Sequence, residues 1–344
     1  AMEATLVERK NRWTLFGSNV ELQQDGTTLK LPRLQVDAWG QALRVRTAAL
    51  PLAPLNSLLL GVDEVPDALA DVLAILQPRG EMSAMQFSLG SYGDPGGDWE
   101  LDGNFEQLEV EPWRGAPGAR SASGYLELAP GGGFVVIDSR QFALEFPKVY
   151  SSALVFDDIY GTVNLDWDSE NLLLSSGPIT ATGEEGVATA LFSLNIPLRK
   201  TEVGLEMDLL VGLSNTDPIY RDKFLPYILN DSLLQWLDSS IGDGRVDQGA
   251  FLWRGSLPPV SSDKRTIQLF FNVADTDLQF DPAWPPLSGV DSTVLIDDTN
   301  VSVWAERASM FALNSAWISA EAWMDERGKM VLAVDGRVRG TAED

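Results

Sequence analysis

The chain contains no cysteine and no histidine. Without them there is no thiolate or imidazole nucleophile, no Ser-His-Asp relay, no His/Cys zinc centre and no disulfide framework. Cations are scarce: 25 Lys and Arg stand against 50 Asp and Glu in 344 residues, a formal net charge of −25. Such a surface repels phosphate backbones and anionic bilayer faces, so nucleic acid is a poor partner. No apolar run is long enough to span a bilayer as a helix. Phosphate-binding glycine loops and the G-x-S-x-G elbow are missing too. No metal and no cofactor are expected, and no enzyme activity. Ala1–Lys10 shows no signal-peptide pattern, and the abrupt first and last residues are those expected of a piece cut from a longer protein.

What is present is ordinary globular composition, 44% hydrophobic and 22% charged, with a strong period of two. Val163, Leu165 and Trp167 alternate with Asn164 and Asp166, and Val203, Leu205, Met207 and Leu209 alternate with Gly204, Glu206 and Asp208. Similar runs occur at Ile267–Val273, Leu278–Phe280 and Leu332–Val334. Each is short and bounded by turn residues such as Gly131-Gly132-Gly133 or Asp297-Asp298-Thr299-Asn300. Alternation with one polar face belongs to antiparallel strands with one apolar side and one wet side. The pattern predicts a mainly β chain, an antiparallel meander, with Glu206 and Asp208 pointing outward.

Two stretches read as helix. Asp67 caps a segment with Leu69, Val72, Leu73 and Leu76 on one face, stopped by Pro78. Asp231 caps another with Leu233, Leu234, Trp236, Leu237 and Ile241, and Gly242 sits at its C-cap. Each has a single apolar stripe and is expected to lie on the sheet. The two belong to an internal repeat. Asp67, Leu69, Leu73, Gly80, Phe87 and Leu89 align at constant spacing with Asp231, Leu233, Leu237, Gly244, Phe251 and Trp253. Leu101 and Asn104 then match Leu269 and Asn272, Pro112-Trp113 matches Pro282-Ala283-Trp284, and Phe142 matches Phe311. The repeats are expected at about 63–146 and 227–315, with linking strands at 147–226, in one continuous elongated sheet over 1–344.

The acidic pairs Asp157-Asp158, Glu184-Glu185 and Asp297-Asp298 fall in turn-like contexts, where solvated carboxylates are expected rather than an acid–base pair facing across a cleft. The 11 tryptophans are read as packing residues first and as a sugar-binding platform second.

The run Phe224-Leu225-Pro226-Tyr227 through Leu233-Leu234-Gln235-Trp236-Leu237, followed by Gly244-Arg245-Val246 and Trp253-Arg254-Gly255-Ser256-Leu257, resembles the central region of the YhdP group of AsmA-like proteins. Phe280-Asp281-Pro282-Ala283-Trp284-Pro285-Pro286-Leu287 and Phe156-Asp157-Asp158-Ile159-Tyr160-Gly161 are similar to further landmarks of that family. The closer match covers about 150–315. The resemblance implies a bacterial envelope protein, held in the inner membrane by an N-terminal segment outside this sequence and extending through the periplasm. It implies phospholipids as partners, moved between inner and outer membranes along a curved, taco-like β-groove, and docking partners at the membranes outside this piece. The candidate groove lining is Phe142, Leu144, Phe146, Val163, Leu165, Phe192, Leu194, Ile196, Val203, Leu205, Met207, Leu209, Leu269, Phe271, Val273, Val294, Ile296, Val301 and Val303. A charge placed at Leu194, Leu205 or Ile296 is expected to block transport at tolerable folding cost. Two other classes stay open: a periplasmic scaffold with a self-packed apolar face, and an envelope glycan-binding β-protein using exposed Trp.

Overall fold

The computed structural model describes residues 3–62, 67–92, 97–113, 115–199, 204–216, 220–229, 231–240, 242, 244–257, 265–279, 284–311 and 313–339. Among these lie nineteen strands and four short helices, so the chain is mainly β, with antiparallel ladders. No helix among the described residues is long and apolar enough to cross a membrane. The chain divides into two compact units.

The first unit comprises Ala1–Pro147, Ser152–Ile179 and Asn195–Lys200. Its ladder begins with β1 (Glu3–Arg9), β2 (Arg12–Gln24), β3 (Thr27–Trp39) and β4 (Ala42–Pro51). Helices α1 (Leu52–Leu59) and α2 (Asp67–Leu76) follow. The ladder resumes with β5 (Arg79–Leu89), β6 (Trp99–Val110), β7 (Gly118–Ala129), β8 (Gly132–Glu145), β9 (Leu154–Trp167) and β10 (Asn171–Ser176). Each strand pairs with the next. Tight turns make this possible: Asp25 and Gly26 both hold positive φ, the conformation a two-residue hairpin needs. Helix α1, which the alternation pattern does not reveal, packs against β3, β4 and β5.

Strands β11 (Ile179–Gly183) and β12 (Gly186–Pro197) come next in the chain. The second unit comprises Lys148–Ser151, Thr180–Leu194 and Thr201–Asp344. It contains β13 (Glu206–Thr216), α3 (Arg221–Phe224), α4 (Asp231–Ser240), β14 (Arg245–Ser256) and β15 (Thr266–Leu278). It continues with β16 (Leu287–Asp297), β17 (Asn300–Met310), β18 (Leu313–Met324) and β19 (Met330–Arg339). From β13 to β19 the strands again form a meander.

The strands are longer than the runs of alternation that announce them. Asn19, Ala84, Gln107, Ser121, Gln141 and Asp275 sit inside strands in the left-handed region, at φ between 49° and 55°. A left-handed residue within a strand makes a bulge, and the alternation slips by one residue there. In β9, Leu154 and Phe156 are buried, Asp157 and Asp158 are both exposed, and burial resumes at Ile159 and Gly161. Asp157-Asp158 therefore lies mid-strand at a slip, not in a turn. Bulge amides are satisfied laterally: the Gln107 N–H donates to Ser123 Oγ at 3.3 Å and the Asp275 N–H to Asp291 Oδ1 at 3.0 Å.

The two helix–strand–strand segments share detail. Helix α2 begins at Asp67 and α4 at Asp231. The Glu111 N–H donates to the Leu76 carbonyl, and the Gly242 N–H to the Asp277 carbonyl, tying each helix end to the far end of β6 or β15. Gly80 (φ 104°) and Gly244 (φ 143°) then start β5 and β14. A Cβ on Gly80 would stand 2.5 Å from the Gln107 carbonyl oxygen, and one on Gly244 would stand 2.3 Å from Thr276 Oγ1. Only glycine satisfies both the conformation and the close approach. Other matched landmarks differ. Phe142 is buried in β8 while Phe311 is 76% exposed in a turn, and Trp113 is buried while Trp284 is exposed. Phe280, Pro282, Ala283, Ala312 and Ile241 lie outside the described residues.

Candidate functional site

In an antiparallel pair, directly opposed residues share a face. Following the register across the first unit, Leu6, Leu15, Val36, Val45, Phe87, Leu101, Leu128, Gly133, Leu165 and Leu174 form one row through all ten strands. Every member is apolar or glycine. Leu6 is exposed and the others are half-buried. One level along, Trp99 on β6 and Trp167 on β9 stack with centroids 6.4 Å apart and planes at 14°. Two strands lie between them, a flat-sheet separation of about 14 Å. The indoles therefore lean toward each other across β7 and β8.

The second unit repeats the pattern. Val211, Phe251, Leu269, Ile296, Val301, Ala322 and Leu332 form one row from β13 to β19. Leu213, Gly249, Phe271, Val294, Val303, Ala320 and Val334 form the next. Here the middle is shut off from water: Leu269, Val294 and Ile296 are each 1% exposed. The face opens toward its last strand, where Val334 and Val338 are 42% and 51% exposed. A cavity of about 320 Å³ lies at that end. Ala305 and Ala320 lie among its walls with Leu278, Leu287, Ile318 and Leu332, and Trp284 and Pro285 stand at it as well.

Of the sequence-predicted lining, Leu209, Leu269, Phe271, Val273, Val294, Ile296, Val301 and Val303 share this face. Leu205 and Met207 are buried at the start of β13. Val163 and Leu165 lie on the face of the first unit, and Phe142 and Leu144 oppose Phe156 and Leu154 beyond the Gln141 slip. Phe146 is buried just after β8; Leu194 and Ile196 are buried and Phe192 half-buried on β12. Val203 lies outside the described residues. The predicted lining includes no residue of the first seven strands, β1–β7. The alternation of Leu43 and Val45 with Arg44 and Arg46 was the available signal there.

The opposite faces are polar in different ways. On the first unit Asp37 is 1% exposed and held by Thr14 Oγ1 (2.7 Å), Gln35 Nε2 (2.8 Å) and the Arg12 guanidinium (3.1 Å). Burial alone would raise its carboxyl, but hydrogen bonds from Thr14, Gln35 and Arg12 outweigh it, and its pKa lies below the ordinary carboxylate value. Thr5, Phe16, Gln35, Arg46, Gln86 and Asp102 line a concavity of about 930 Å³ on this side. On the second unit Glu206 and Asp208 are exposed, and Asp208 pairs with Arg254 at 3.1 Å. The Arg307 guanidinium, with the Asp275 N–H, holds the Asp291 carboxyl below its usual range. Glu185, expected to be solvated, is instead buried against Lys223.

Each unit is thus an antiparallel β meander with an apolar face carried from strand to strand. The chain belongs to the YhdP protein family, whose model matches residues 1–344. Among curated proteins it is similar to the intermembrane phospholipid transporter YhdP of Escherichia coli (strain K12), with 20% identity over 301 residues, 87% of this chain and 23% of that protein. The chain thus spans about a quarter of that relative's length. No solved structure matches.

Proposed function

We propose that this chain is a section of an intermembrane phospholipid transporter, in which the apolar face shields acyl chains while headgroups stay in water. The observation that carries this reading is the unbroken apolar row through ten strands of the first unit, half-buried and never interrupted by a polar side chain. The name of the related transporter supports it. The physical logic is direct. Each methylene removed from water is worth about 0.8 kcal/mol, so a lipid with some thirty of them meets a barrier of roughly 20 kcal/mol in crossing water unaided. A row of similar apolar sites removes most of that barrier and leaves no deep well to trap the lipid. The proposed lining is the half-buried part of the predicted set, with Leu144, Val163, Leu165, Phe192, Leu209, Phe271 and Val301, extended by Leu15, Val36, Val45, Phe87, Leu101, Ile318, Leu332 and Val334. The protein performs no bond chemistry on the lipid. It works in the periplasm, anchored to the inner membrane by a segment beyond this sequence.

Purified full-length protein examined by native mass spectrometry and lipid extraction tests the proposal. Co-purified phospholipid that decreases in Leu165→Asp and Val338→Asp variants is the expected result. Repeated absence of lipid from folded protein would overturn it. The scaffold alternative draws on one observation, the sealed middle of the second unit, and predicts that lipid-free outcome. Glycan binding draws no support from the apolar rows.

A further inference from the structure

The outer face of the second unit carries an apolar feature that lipid shielding does not use. Leu210 opposes Leu252 on β13 and β14, and Phe270 opposes Leu295 on β15 and β16. Leu252 is a diagonal neighbour of Phe270, Leu295 of Trp304, and Trp304 of Trp317, each displaced two residues in the same direction. The six side chains make one oblique stripe across β13–β18. At about 4.8 Å per strand and 3.4 Å per residue it runs roughly 30 Å, the length of a helix of about twenty residues. Trp304 and Trp317 are 43% and 42% exposed, Leu210 and Leu295 are exposed, and Leu252 and Phe270 are half-buried. Contiguous apolar surface of this kind on a chain of −25 net charge marks an interaction site.

Charge says what fits it. Glu306 lies two residues beyond Trp304 on β17, and Glu321 lies on the other side of the Trp304–Trp317 segment, two residues from Ser319, which opposes Trp304; both are exposed. Neither carboxylate has an ion-pair partner among the described residues. Arg337, opposite Trp317, and Arg339 are the cations on β19 at that end, while Arg307 on β17 is engaged by Asp291. Exposed indole faces beside free carboxylates attract lysine and arginine through cation–π contact and ion pairing. We infer that this stripe docks a basic amphipathic helix of a partner protein, laid obliquely across the strands with its apolar ridge on Leu252, Phe270, Leu295 and the two indoles. This surface is independent of the apolar face proposed to carry lipid.

The test uses the full-length protein and a synthetic twenty-residue helical peptide with leucines at i, i+3, i+4 and i+7 and lysines elsewhere. Its twin carries glutamates in place of the lysines, and a third peptide has the lysine version scrambled. Binding is followed by the fluorescence anisotropy of a dye carried on the peptide. The lysine peptide is expected to bind at least tenfold more tightly than either control, and to weaken with salt. Trp304→Ser with Trp317→Ser should weaken it at least tenfold. Glu306→Lys with Glu321→Lys, exposed positions that leave the fold alone, should reverse the preference toward the glutamate twin. Equal binding of scrambled and ordered peptides, or indifference to the charge reversal, overturns the inference. So does binding of phosphatidylcholine or phosphatidylglycerol vesicles that depends on Trp304 and Trp317, which would assign the stripe to a membrane surface.

Discussion

In the first unit Leu15, Val36, Val45, Phe87, Leu101 and Leu165 are all half-buried; in the second, Leu269, Val294 and Ile296 are cut off from water. Both sets arise from the same device, apolar residues in register from strand to strand. The sequence period is the same, so period alone does not decide between trough and core. Side-chain size matters as well. Toward β17 and β18 the apolar rows of the second unit shrink to Ala305, Ala320 and Ala322, and the cavity lies against Ala305 and Ala320. Large neighbours around small ones leave volume where the face nears solvent.

Charge substitutions separate the two states most strongly. Ile296→Asp buries a carboxylate with no partner and should cost about 4 kcal/mol or more, unfolding the second unit. Leu165→Asp in the half-buried row should cost roughly 1–2 kcal/mol, because water can reach it. Urea midpoints of the two variants check this; equal losses would erase the distinction. The expectation that a charge at Leu194, Leu205 or Ile296 is tolerated therefore gives way to the half-buried positions, since all three residues are buried.

Next in size, Gly80→Ala and Gly244→Ala each force a Cβ against the neighbouring strand in a positive-φ site. Each should lose about 2 kcal/mol or more, measured by thermal unfolding. A large loss at one glycine only would separate the two helix–strand–strand segments, which we propose are copies of one ancestral repeat.

Asp37→Asn should cost about 1–2 kcal/mol near neutral pH through lost charge-assisted hydrogen bonds. The folded-state pKa of Asp37 is depressed, so its contribution is complete above the ordinary carboxylate pKa of about 3.9 and vanishes as pH falls through the lower folded value. Wild type and variant should converge in acid. Asp291→Asn, at an exposed pair in the second unit, should show the same sign with a smaller amplitude. Urea midpoints measured across acid pH compare the two.

The smallest stability change belongs to Ala320→Leu, which fills the cavity and should stay within about 1 kcal/mol. Lipid recovered with the protein should nevertheless fall, and unchanged lipid would place acyl chains elsewhere.

Strand content, the helices starting at Asp67 and Asp231 and the outward set Glu206 and Asp208 were legible in the sequence because each rests on a local rule. Strand length was not. Gln141 and Asp275 adopt left-handed geometry that glycine usually signals, and the resulting slip cuts one long strand into two short alternating runs. Helix α1 is short, follows Pro51 and carries Pro54 in its first turn, where proline is tolerated, so it has no long amphipathic stripe to announce it. Depth of burial was invisible too, because Leu165 and Leu269 read alike until their neighbours are placed.

The most direct test uses phospholipids brominated in the acyl chains, whose bromines quench nearby tryptophan. Two variants of the full-length protein each retain a single tryptophan, Trp284 at the cavity or Trp304 on the outer face. Strong quenching of Trp284 with Trp304 unaffected is the predicted result. No quenching of Trp284, or equal quenching of both, would contradict acyl-chain shielding by the inner face.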